Sequence, residues 1–118
     1  MNTKKIIKSV CKYYGISVTE LFSKHKPKSL SVPRQMAIYL LREEAKYYFV
    51  DIAKLFGRHH APIIYGHDTI AGLLKIGDKQ TTREIAELTE MIKRKEGEII
   101  EGEIGDNEIP ELKKPTRK

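Results

Sequence analysis

The sequence predicts an all-α domain of about six helices built around a helix-turn-helix. Three features carry that expectation. From Ile6 to Ile92, apolar residues recur at steps of three and four, the period of helices with one buried face. Glycines and Ser/Thr-x-x-Glu pairs fall where those stripes start and stop. At residues 56–62, FGRHHAP separates two apolar segments by a short polar turn containing one glycine, the outline of two helices meeting at a sharp corner.

The elements follow in order. Residues 4–14, KKIIKSVCKYY, set Ile6, Val10 and Tyr14 four apart with Ile7 and Cys11 on adjoining rows, and Gly15 supplies a left-handed stop. Ser17 and Glu20 form a capping box for a short second helix through Phe22. SKHKPKS, residues 23–29, lacks periodicity and contains Pro27, so it reads as an exposed basic loop. Ser31 is expected to cap a third helix with Pro33 in its first turn, where the missing amide has no intrahelical partner, and this helix continues from Arg34 to about Tyr47. VDIAKLF, residues 50–56, reads as a two-turn helix stopped by Gly57. A fifth helix opens near Ala61 or Pro62 and runs to about Lys75. Thr81 and Glu84 form the expected capping box of a sixth, which closes the domain near Lys93 to Lys95. The domain is thus placed at residues 1–95, and residues 96–118, charged and punctuated by Gly and Pro, at a tail without a packed core.

Composition narrows the chemistry. One cysteine in 118 residues excludes an internal disulfide and suits a reducing compartment. The start shows no signal-peptide core, so a cytoplasmic, nucleoid-associated protein with no membrane partner is expected. The net charge of +6 is unevenly spread: residues 1–75 carry 13 Lys and Arg against 5 Asp and Glu, whereas residues 96–112 carry 7 acids and no base. The basic front suits a polyanion, and the acidic tail suits a protein partner or self-competition with that polyanion. Oligomeric state is not written in these patterns, with a monomer slightly favoured.

No residue set promises catalysis. Cys11 sits inside an apolar stripe without an activating base, and Asp51 and Asp68 form no evident pair. His59, His60 and His67 lack the HExxH pattern and any cysteine partner, so they are expected to face solvent or DNA and to hold no metal. No glycine-rich phosphate loop or other cofactor motif is present. The basic cluster offers more: Lys24, Lys26 and Lys28 crowd the loop, Arg34 and Gln35 follow it, and Arg58 lies in the corner. Cations near a helix N-terminus are suited to phosphate oxygens.

IIKSVCKYYGISVTELFSKHK, then PRQMA, then FGRHH with the helix after it, together resemble the C-terminal DNA-binding domain of the bacterial chromosomal replication initiator DnaA. The resemblance implies a Trp-repressor-like helical bundle that binds a short duplex site as one domain. By that resemblance Lys26 enters the minor groove, Lys28 is a neighbouring backbone contact, and Arg34 and Gln35 serve phosphate contact or orientation. Arg58 becomes the base-edge candidate, since a guanidinium can give two donors to guanine. His60 matches the family histidine, whereas His59 stands where aspartate is usual. Ala61 and Pro62 occupy two positions that commonly carry hydroxyls, and Gly57 is single where a glycine pair is frequent. The expected function is sequence-specific or semi-specific binding of double-stranded DNA in replication or transcription control, with no enzymatic activity. The alternative is a protein-interaction module on a DNA-binding fold.

Overall fold

The computed structural model describes residues 3–24 and 28–93, which form six helices and no strand. They are α1 Thr3–Tyr14, α2 Val18–Phe22, α3 Lys28–Glu43, α4 Phe49–Phe56, α5 His60–Lys75 and α6 Lys79–Lys93. The expected all-α class is therefore observed. Lys26 and the tail assigned to residues 96–118 lie outside the described residues.

Several boundaries obey their local chemistry. The Ser17 hydroxyl accepts the Glu20 amide at 3.0 Å while the Glu20 carboxylate accepts the Ser17 amide at 2.9 Å, completing the capping box. Gly57 adopts φ +64°, which lets the Arg58 amide turn back onto the Ala53 carbonyl at 2.9 Å and ends α4 abruptly.

Three boundaries differ from expectation. Helix α3 starts at Lys28, so Ser31 is not its cap and Pro33 lies inside it. Leu30 and Pro33 are both buried, extending the apolar row of Ala37 toward the N-terminus, and that burial outweighs the helical bond that proline cannot donate. The same helix ends at Glu43, not near Tyr47. Lys46 takes φ +66° and the Tyr47 amide reaches the Leu41 carbonyl at 3.1 Å, turning the Tyr47 ring into the core. Helix α6 opens at Lys79 because Asp78, not Thr81, supplies the cap: its Oδ2 accepts the Thr81 hydroxyl at 2.7 Å and amide at 2.9 Å. Those two hydrogen bonds, hydroxyl first, hold the Asp78 carboxyl below its ordinary range.

Helix α3 is the hub, with α1, α2, α4 and α5 packed on it and α6 lying across α1 and α5. Ile6, Leu21, Leu40, Leu41, Ile52 and Leu88 are fully buried, so every helix except α5 supplies at least one of these six, and α5 adds Ile63 and Ile70. Gly66 sets the approach of α5 to α3: a Cβ there would stand 3.4 Å from both Gln35 Cγ and Ile38 Cδ1, so the helices touch across a position with no side chain. That contact fixes how far the front of α5 projects.

Candidate nucleic-acid interface

Helices α4 and α5 are joined by Gly57, Arg58 and His59 alone. His59 is the N-cap of α5 in an extended conformation, and its side chain makes no capping hydrogen bond. The first turn of α5 thus keeps outward amides, apart from Pro62, which has none, and the positive end of the helix dipole. His59, His60, Ala61 and Pro62 are all exposed there.

The basic loop is tied to this corner. Lys24 Nζ donates to the Gly57 carbonyl at 3.0 Å, and Arg58 Nη2 donates to the Ser23 carbonyl at 2.8 Å. One backbone oxygen holds two guanidinium groups, because Arg34 Nη2 also donates to Ser23 O, at 2.9 Å. Whatever meets the front of α5 therefore meets the start of the loop beside it. Lys28 is exposed at the first turn of α3.

Arg34 is not a surface cation. It is 7 % exposed, and its Nε donates to Leu21 O at 2.8 Å while Nη2 reaches Glu20 O and the Ser23 hydroxyl, each at 2.9 Å. The guanidinium gathers the carbonyls at the C-terminus of α2, where the backbone lacks intrahelical donors. Of the two roles the resemblance implied for it, phosphate contact or orientation, this geometry serves orientation. Burial first, and then the charge of Arg58, lower its pKa, yet a guanidinium remains charged in a protein.

A cleft of about 230 Å³ opens between α3 and the α4–α5 corner, lined by Ser31, Arg34, Gln35, Arg58, Pro62 and neighbouring apolar side chains. Gln35 is half-buried at its edge. Arg58 Nε is buried and has no hydrogen-bond partner among the described residues.

Two residues fall elsewhere than the sequence suggested. His67 is mostly enclosed by its neighbours: Nε2 lies 2.7 Å from Glu43 Oε2 and Nδ1 2.9 Å from Asp68 Oδ1, with the ring stacked on Tyr39 and edge-on to Phe49. It fastens α5 to α3 and α4. Tyr65 is 70 % exposed, although it falls within an apolar helix where core packing is the ordinary use of an aromatic ring. Its signal was available, since Ala61 and Tyr65 are four apart and share the outer face, while Ile63, Gly66 and Ile70 take the inner rows.

An all-helical domain whose two helices meet through a three-residue, glycine-closed turn beside a cationic loop is a helix-turn-helix protein. A model of the bacterial DnaA protein helix-turn-helix matches residues 3–70, and the chain belongs to that family. Similar curated proteins are chromosomal replication initiator proteins DnaA. The one from Caldanaerobacter subterraneus subsp. tengcongensis is 34% identical over 93 residues, covering 79% of this chain and 21% of that protein. The one from Chloroflexus aurantiacus is 35% identical over 98 residues, 82% and 20% respectively, and that from Methylobacillus flagellatus 36% over 91 residues, 76% and 19%. The chain thus spans about a fifth of the length of these relatives. Among the described residues, no helix is long and apolar enough to cross a membrane.

Proposed function

We propose that this chain binds double-stranded DNA, laying the front of α5 in the major groove and the basic loop on the minor groove or backbone. The observation that supports this reading is the pair of hydrogen bonds joining Ser23 and Lys24 to Arg58 and Gly57, which holds the start of the loop beside the helix front. His59, His60, Ala61, Pro62 and Tyr65 then face base edges, and Lys24, Lys26 and Lys28 face phosphates. Ala61 and Pro62 bring apolar surface and no hydroxyl, so contact with thymine methyl groups takes the place of hydrogen bonds at those positions. The relatives are initiators of chromosomal replication, which supports a role in replication or its regulation, on the nucleoid in the cytoplasm.

Selection from a randomised duplex pool with the purified chain tests this. One short motif should be enriched. Lys26→Ala should weaken all duplexes alike, and Tyr65→Ala should relax preference at one position, by a factor set by about 1–3 kcal/mol. Enrichment of no motif and no duplex binding at moderate salt would overturn the reading. A second reading, a protein-interaction module, draws on the exposed Ile64, at 39 %, beside Tyr65 on the same helix front. Recovery of a discrete protein partner whose binding is lost in Tyr65→Ala, with no DNA bound, would favour it.

A further inference from the structure

We propose that Lys24 is a positioning residue for α5: its ammonium holds the peptide plane between Gly57 and Arg58, and so sets the direction in which the chain enters that helix. The inference rests on the DNA-binding reading above, and it adds to the phosphate-facing place given to Lys24 there a part that charge alone does not supply. The turn between α4 and α5 pivots on that one peptide. Gly57, at φ +64° and ψ +40°, makes the left-handed step that ends α4, and the plane that follows decides where Arg58, His59 and the first turn of α5 point. Both ends of this peptide are gripped. Its N–H, belonging to Arg58, donates to the Ala53 carbonyl at 2.9 Å, and its C=O, belonging to Gly57, accepts from Lys24 Nζ at 3.0 Å. The first grip is local, the end of α4 closing on itself. The second comes from 33 residues earlier in the chain, just beyond the end of α2.

An ammonium suits that oxygen. It stands at the C-terminus of α4, where carbonyls without intrahelical donors form the negative end of the helix dipole, and a charged donor makes the stronger bond. Gly57 leaves it room, since a Cβ on that residue would stand 3.5 Å from Lys24 Nζ, in ordinary contact. The clasp is also reciprocal. Arg58 Nη2 returns a hydrogen bond to Ser23 O at 2.8 Å, so residues 23 and 24 and residues 57 and 58 close a ring through two side chains. Giving one N–H to Gly57 leaves the rest of the ammonium for phosphate oxygens. Lys24 is exposed and takes no part in the apolar core, so a substitution there tests position without disturbing the packing.

The test compares the full chain with Lys24→Met, which keeps the stem and loses the donor, and with Lys24→Arg, which keeps both charge and donors. Binding to the duplex enriched by selection, and to a scrambled duplex, is followed by fluorescence anisotropy at one salt concentration. A lost phosphate contact weakens both duplexes alike, whereas a turn no longer held costs only the binding that depends on where α5 points. Lys24→Met should therefore lower the ratio of the two affinities roughly fivefold, the share of one hydrogen bond, and Lys24→Arg should restore most of it. An equal loss on both duplexes would reduce Lys24 to a counter-ion and overturn the proposal, as would no change on either. If the wild-type chain binds no duplex, the DNA-binding reading fails by itself, and the grip on the turn is decided in the free protein by nitrogen–proton correlation spectra. Lys24→Met should then move the Arg58 amide nitrogen, which shares its peptide plane with the Gly57 carbonyl, together with the amides of His59 and His60, while Lys24→Arg stays close to wild type. Unmoved amides at these three residues in Lys24→Met would refute the grip.

Discussion

Arg34 shows how far a residue's chemistry depends on what surrounds it. An arginine after a basic loop invites assignment to phosphate, yet its planar donors close the C-terminus of α2 onto α3 at 7 % exposure. Losing it would remove the donors to the Glu20, Leu21 and Ser23 carbonyls, and a buried carbonyl left without its partner costs about 1–3 kcal/mol. Arg34→Ala is therefore expected to lower the unfolding free energy by about 3 kcal/mol in urea denaturation, with any loss of DNA binding following from unfolding. Arg34→Lys should recover little, because an ammonium cannot place donors on several carbonyls in one plane. A fully stable Arg34→Ala chain would show that the carbonyls find other partners.

At the scale of elements, α1 and α6 are clasped by tyrosines on one and glutamates on the other. Tyr14 donates to Glu84 at 2.5 Å, and Tyr13 donates to Glu87. Burial and then the Glu84 bond push the Tyr14 pKa far above its ordinary value, and the Glu87 bond, then burial, pushes that of Tyr13 up to about 12. A folded-state pKa raised above the unfolded one gives stability that is complete below the unfolded value, near 10, and lost as the pH rises through the folded value. Thermal melts should thus lose midpoint above about pH 10 more steeply in wild type than in a Tyr13→Phe, Tyr14→Phe double variant. Parallel curves would mean that the clasp does not couple to folding. Much at this scale was legible from sequence: Gly15, Gly57, the Ser17–Glu20 box and the end of α5 at Lys75 stand where residue chemistry put them. The start of α3 was not, because Pro33 signals a first turn locally, whereas the burial of Leu30 is decided by neighbouring helices.

For the whole molecule, the uneven charge matters more than its sum. Residues 1–75 are strongly basic and residues 96–112 carry 7 acids and no base. A tethered acidic segment competes with DNA at an effective concentration set by its length. Removing residues 96–118 is expected to strengthen binding of scrambled duplex at low salt, with the gain shrinking as salt screens the charges. An affinity that does not change across a salt series would exclude self-competition.

By itself, the sequence determined the helical class, most stops and caps, the charge asymmetry and the exposed corner at residues 57–62, because all of these depend on neighbours within a turn or two of the chain. Only the tertiary structure decided that Arg34 turns inward, that Arg58 is tied to Ser23, that His67 bridges α5 to α3, and that Tyr65 is left outside. Each of those outcomes turns on a partner 11 to 35 residues away or on which helix face α3 covers, and local periodicity carries no record of either.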